Sequence, residues 1–195
     1  MKISENGLNL IKRFEGCVLH AYKCVPSEEY YTIGYGHYGA DVRPDQTITQ
    51  ETADNMLKDD IKRYETLVNI FQSIYYFNQN EFDAMVSFCY NVGSVNSLTK
   101  NGKRTKREIA DAMLLYIHDS AGNELEGLVN RRKVERELFL TPCDNPGNIW
   151  DNFSNTSTIN DIVKSILAGD LGNDEERKEN IYNIIQHFVN IAVRG

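Results

Sequence analysis

A stretch that cannot be helical lies early in a chain whose apolar residues otherwise recur at helical spacing. From Ala21 to Gln46, tyrosine, threonine, valine and isoleucine are interspersed with Pro26, Gly34, Gly36, Gly39 and Pro44. β-Branched and aromatic residues punctuated in this way read as short strands joined by turns. No long helix fits across those breakers. The chain must therefore build a small sheet near its start, with helices on either side.

Ahead of the sheet, Ser4 can cap a short helix with Leu8, Leu10 and Ile11 on its apolar face and Gly16 as its stop. Beyond it, Ala53, Met56, Leu57, Ile61, Tyr64 and Leu67 recur at three- and four-residue steps from Thr49, which predicts one long amphipathic helix. Asn78 with Glu81, and Thr105 with Glu108, have the spacing of a capping box. They open helices carrying Phe82, Met85, Val86 and Cys89, and Ile109, Ala112, Met113 and Tyr116. A further helix covers Leu128 to Phe139 and stops near Pro142. The expected class is α+β: a mostly helical domain with a small antiparallel sheet.

Cys143 to Ser157 is polar and broken by Pro146 and Gly147, which marks a boundary. Helical patterning restarts with Ile159, Ile162, Val163, Ile166 and Leu167, and continues with Ile181, Ile185, Val189 and Ala192. The expected organisation is a domain over 1–146, a linker over 147–156 and a small three-helix module over 157–195.

The net charge of -7, from 21 basic and 28 acidic residues, weighs against a phosphate-backbone binder, so no nucleic-acid partner is expected. Lys103 to Arg107 reads as a solvated helix start. Cys17, Cys24, Cys89 and Cys143 form no CxxC pair and read as scattered buried thiols. His20, His37, His118 and His187 lack zinc-ligand spacing, and no metal or other cofactor is expected. Met1 to Asn6 lacks the apolar core of a signal peptide, and no segment is apolar and long enough to span a bilayer. Synthesis in a cytoplasm without stable membrane insertion is the expectation, so an external substrate would be reached only after release.

Glu15 is the strongest single candidate for chemistry. At a helix C-terminus the macrodipole disfavours negative charge and favours the protonated acid, and Phe14 and Cys17 can remove water from it. A glycosidase needs such an acid to protonate a leaving oxygen. The plain alternative is a solvated helix-end glutamate.

Several ordered segments carry a resemblance. They are Ile11-Lys12-Arg13-Phe14-Glu15-Gly16, Ala21-Tyr22, Tyr31-Thr32-Ile33-Gly34-Tyr35-Gly36-His37, Phe82 to Phe88, Tyr90-Asn91-Val92-Gly93, and Gly127 to Arg132. Over roughly residues 3–142 the chain resembles the phage-type lysozymes, the bacteriophage T4-like muramidases. The resemblance implies Glu15 as the catalytic acid, Thr32 lining the cleft near the attacking water, and Arg131, with Arg132 close behind, pairing with Glu15. It implies a structural role for His37, with Glu81 as a candidate partner. Tyr22, Tyr31 and Tyr35 are candidates to stack on sugar faces. The implied reaction is hydrolysis of the β-1,4 bond between N-acetylmuramic acid and N-acetylglucosamine in bacterial peptidoglycan.

One position departs from the family pattern. Where its members place an aspartate two residues beyond the tyrosine, this chain has Cys24, and the following segment Val25 to Tyr30 is about two residues longer. A Cys24 thiolate can place water or attack the sugar. Alternatively, Glu28, Glu29 or Asp41 supplies the missing carboxylate. Slow turnover, or glycan binding without cleavage, are the remaining readings.

The tail resembles a second family. Ile162-Val163-Lys164, Ile166 to Asn173, Glu175 to Lys178 and Tyr182 to Asn190 are similar to the Cpl-7 type cell-wall-binding repeat, without its glycine-tyrosine turn. This implies retention on peptidoglycan through Asp170, Leu171, Gly172, Asn173 and Arg177. Turning, capping and solvation are the structural alternatives for the same residues. Together the two resemblances imply a phage endolysin; the runner-up is a non-hydrolytic or weakly active peptidoglycan-binding protein.

Overall fold

The computed structural model describes residues 1–143. The expected linker and tail module lie outside the described residues, as do Asp170, Leu171, Gly172, Asn173 and Arg177. Among the described residues seven helices surround a three-stranded sheet. None of these helices is long and apolar enough to cross a membrane.

Helix α1 (Glu5–Glu15) starts where the Ser4 hydroxyl accepts the Gly7 N–H, and it buries Leu8, Leu10 and Ile11. It ends at Gly16, whose φ of 68° and ψ of 172° suit glycine almost alone. The chain thus turns sharply straight after Glu15 and enters β1 (Val18–Tyr22), three residues before the expected strand region. β1 pairs antiparallel with β2 (Tyr31–Gly34), which pairs antiparallel with β3 (His37–Gly39). Tyr22 lies opposite Thr32 in this register, so their side chains share one sheet face.

The long helix α2 (Gln50–Asn69) matches the expected periodicity, with Ala53, Leu57, Ile61, Tyr64 and Val68 buried. Short α3 (Gln72–Tyr75) leads to α4 (Gln79–Val92), where the Asn78/Glu81 capping box is complete. α4 is the centre of the domain. Phe82, Ala84, Met85, Val86, Phe88 and Cys89 are all fully buried, because α1, α2 and α7 (Glu126–Leu140) pack around it. Short α5 (Asn96–Thr99) precedes α6 (Lys106–Met113), which opens on the complete Thr105/Glu108 box.

Two expectations need correction. All four cysteines are free thiols, but only Cys89 is buried; Cys24 is exposed on the loop after β1. The basic run is more than a solvated helix start. Arg104 donates to the Leu98 carbonyl at 2.6 Å, and the Lys106 ammonium lies 2.8 Å from the Glu81 carboxylate, so both bind the neighbouring turns.

Helix α1 is pinned at its first turn. The Ile3 N–H donates to Glu65 of α2 at 2.8 Å, and the Ser4 N–H to Asp83 of α4 at 2.9 Å. Gly7 permits this approach, since a β-carbon there would lie 2.8 Å from the Asp83 Cβ and 2.6 Å from Ile3. Gly7→Ala is expected to push α1 off α4 and cost about 1–3 kcal/mol of stability in denaturant unfolding. An unchanged midpoint would show that α1 is held elsewhere.

Candidate active site

Helix α7 brings its charged face against the C-terminal end of α1. The Arg131 Nη1 donates to the Glu15 Oε1 at 2.6 Å. Its Nη2 donates to the Ser87 carbonyl of α4 at 3.2 Å, and its Nε to the Glu135 Oε1 at 3.0 Å. The guanidinium also lies 5.6 Å from the centre of the Phe14 ring, a cation–π distance. One buried arginine thereby fixes three helices relative to the catalytic candidate. The Glu15 side chain keeps 22% of its surface exposed, and among the described residues its Oε2 has no hydrogen-bond partner. That free oxygen is the one that can meet a substrate.

Arg132 supports this arrangement from behind and does not touch Glu15 directly. It is fully buried, donates to the Asn91 Oδ1 at 2.8 Å, and lies 4.6 Å over the Phe88 ring. Its Nε is 3.0 Å from the Glu135 Oε2, close enough for an ion pair but misaligned for a hydrogen bond. Burial holds the Arg132 guanidinium down at about 10, with Arg131 pulling the same way and Glu135 opposing. Glu135 was not singled out from the sequence, nor was Ser87, whose hydroxyl donates to the Glu135 Oε1 at 2.8 Å. The signal for Glu135 was its spacing: three and four residues beyond two arginines on one helix.

On the sheet side, Thr32 is buried to 7% exposure, and among the described residues its hydroxyl forms no hydrogen bond. Across the strand pair stands Tyr22. Burial raises its phenol first, then the neighbouring Cys24, which also hydrogen-bonds it, and then Glu28 and Glu15. Tyr22 is therefore the shared neighbour of Glu15 and position 24. Among the three substitute carboxylates, Glu28 is the one beside Cys24: its Oε2 accepts the Cys24 N–H at 2.8 Å. The other two are elsewhere. Glu29 is exposed and meets the Tyr30 hydroxyl, and Asp41 is bound to His37.

Three further expectations are corrected. Tyr35 is not a sugar platform, since it is buried at 7% exposure with its hydroxyl donating to Asp54 at 3.0 Å and accepting from Gln50 at 2.8 Å. Its phenol is pushed up to about 12, mainly by burial. Tyr31 neighbours Thr32 along the strand and so points to the opposite sheet face, beneath the Lys23 ammonium at 4.9 Å. His37 does not pair with Glu81, whose carboxylate serves the Asn78 cap and Lys106. Instead its Nδ1 meets Asp60 at 2.9 Å and its Nε2 meets Asp41 at 3.0 Å, tying β3 to α2 away from Glu15. No local pattern links residues 23 apart, so Asp60 could not be found from sequence. Among the described residues no group of three His, Cys, Asp or Glu could hold a metal ion.

The site is thus a half-buried glutamate on a buried arginine, with Tyr22 close by and Thr32 opposite Tyr22 on the sheet. Residues 12–135 match the family Phage lysozyme. The chain belongs to the phage lysozyme family. The endolysin of Bacillus phage PZA is 47% identical over 143 residues, which are 71% of this chain and 55% of that protein. The endolysin of Lactococcus phage c2 is 44% identical over 179 residues, 91% of this chain and 75% of that protein. Among solved structures, the muramidase domain of SpmX from Asticaccaulis excentricus superposes with a TM-score of 0.62 at 35% identity, covering 72% of this chain and 99% of that domain. The chain spans about half the length of the Bacillus phage relative. The described residues include all of those that match the phage lysozyme family.

The His37 clasp gives a pH-dependent test. Burial lowers the imidazole, but the bonds to Asp60 and Asp41 outweigh it, and His37 ends above its ordinary value of 6.5. A raised histidine contributes stability that is complete below the unfolded value and is lost as pH rises through the folded value. Asp41 is held below its ordinary 3.8, chiefly by its hydrogen bond to His37, so it stays ionised in this window. The melting-temperature gap between wild type and His37→Gln is expected to be widest near pH 5–6 and to narrow above about pH 7. A gap that widens with pH would refute the clasp.

Proposed function

We propose that the protein hydrolyses the β-1,4 bond between N-acetylmuramic acid and N-acetylglucosamine in bacterial peptidoglycan, as an endolysin released onto the wall from the cytoplasm of its host. The observation that carries this reading is the Glu15 carboxyl, held on one oxygen by Arg131 with the other oxygen open. Glu15 protonates the glycosidic oxygen as the bond breaks, and the resulting carboxylate remains against the Arg131 guanidinium. Thr32, with a free hydroxyl on the face it shares with Tyr22, holds the water that meets the anomeric carbon.

In this reading the second charge comes from the Tyr22, Cys24 and Glu28 group rather than from an aspartate. Glu28 brings the carboxylate and Cys24 fixes Tyr22. The exposed thiol where the family has an acid also favours a second reading, in which the domain binds glycan without cutting it. New reducing ends from purified peptidoglycan decide between them. Glu15→Gln is expected to reduce their release about 10³-fold, whereas a wild type that releases none leaves the binding reading.

Cys24→Ala and Glu28→Gln are each expected to lower turnover about tenfold. The double variant Cys24→Asp, Glu28→Gln, which moves the carboxylate to position 24, is expected to recover it. Unchanged turnover in Cys24→Ala would remove the thiol from the mechanism.

We assign the tail, residues 157–195, to wall retention as a Cpl-7-like module working through Asp170, Leu171, Gly172, Asn173 and Arg177. Support comes from its residue pattern. Tethering raises the effective concentration of the active site on its substrate without altering the chemistry. Deleting 157–195 is expected to reduce co-sedimentation with cell walls at least tenfold while hydrolysis of soluble fragments persists. Undiminished retention would refute anchoring.

A further inference from the structure

Glu135 is the largest unexplained electrostatic feature of the domain. It is a carboxylate with no exposed surface, on a helix where Arg131 and Arg132 already point the same way. Its Oε1 accepts from the Arg131 Nε at 3.0 Å and from the Ser87 hydroxyl at 2.8 Å. Its Oε2 lies 3.0 Å from the Arg132 Nε. Burial pushes the Glu135 carboxyl up from its ordinary value, and Arg132, Arg131 and the Ser87 hydroxyl, all almost wholly buried, act against that rise.

Glu135 itself meets Arg131 and Arg132 of α7 and Ser87 of α4. On the Glu15 side stand Tyr22 from β1 and Tyr90 from α4, with Lys12 and Arg13 in the last turn of α1, and α6 adds Asp111, paired with Arg136. Cys24 and Glu28 stand beyond Tyr22, which feels both. Burial raises both phenols above their ordinary range, so neither carries charge near neutrality. The buried charges behind Glu15 are then two cations and one anion. With Glu135 in place the pair of guanidiniums presents a net single positive charge; without it, two.

We infer that Glu135 is a positioning residue for Glu15, which aims Arg131 at the Glu15 Oε1 and cancels one of the two buried positive charges behind it. Glu135 thereby halves the buried positive charge set against the Glu15 carboxyl. The inference rests on the muramidase reading only for its catalytic consequence. The electrostatic part stands on the buried geometry.

The test is the titration of the Glu15 carboxyl carbon by NMR in ¹³C-glutamate-labelled protein, assigned by its loss in Glu15→Gln, alongside the pH profile of reducing-end release. Glu135→Gln is expected to move the Glu15 midpoint and the alkaline limb of activity to lower pH by about one unit. Arg132→Gln is expected to move both the other way. The double variant, with the charge balance restored, is expected to return close to wild type. Should Glu135→Gln fail to fold, Arg132→Gln and the double variant still read the sign. Midpoints that do not move, or that move in one direction in both single variants, overturn the inference. Shifted midpoints in a protein that releases no reducing ends would uphold it and sink the muramidase reading instead.

Discussion

The bond between Arg131 and Glu15 is the contact on which the geometry of the domain depends. A guanidinium with only 4% of its surface exposed has lost nearly all its hydration, and attraction to a single carboxylate seldom repays that loss. Here the fork of donors is divided among Glu15, the Ser87 carbonyl and Glu135, with the Phe14 ring beside it. Each partner belongs to an element placed for other reasons. α1 is drawn onto α4 through Gly7, α4 is the apolar centre, and α7 packs on α4. Removing one member of such a group costs about 3–5 kcal/mol, because the remaining charge is left buried and alone.

The same group explains how one carboxyl can serve both as donor and as ion. With Glu15 ionised, Glu15, Glu135, Arg131 and Arg132 sum to zero. With Glu15 protonated, one positive charge is in excess. In the proposed reaction, proton release to a glycosidic oxygen relaxes the cluster at the moment when positive charge grows on the sugar. The stabilisation requires no movement, since Arg131 is already in place. Gly16 adds the last constraint. By ending α1 immediately after Glu15 it leaves the carboxyl at the start of the turn into β1, near Tyr22.

What was legible in the sequence was local. The Asn78/Glu81 and Thr105/Glu108 boxes, the Ser4 cap and the stripe on α2 depend on residues within a few positions of each other, and all are present. The four-residue helices α3 and α5 have no period to display and were not foreseen. Glu15 stood out from its place at a helix end, but Thr32 and the pairing with Arg131 came through resemblance, since nothing within the sequence reveals a bond spanning 116 positions. The misassignments have the same origin. Tyr35 looks like any aromatic residue near a sheet until Asp54 and Gln50 claim its hydroxyl, and His37 chose Asp60 over Glu81 because β3 runs against α2.

Position 24 shows how a departure from pattern can be absorbed nearby. The loop after β1 is closed by one residue acting twice: the Lys23 ammonium donates to the Glu28 carbonyl at 2.6 Å, while the Glu28 carboxylate accepts the Cys24 N–H. An aspartate at 24 would bring a second carboxylate beside Glu28, and like charges at that range oppose joint ionisation. The Cys24 side chain brings no second carboxylate and still hydrogen-bonds Tyr22. In the proposed reaction an acid four positions downstream, folded back onto the Cys24 N–H, supplies the carboxylate that the side chain at position 24 lacks.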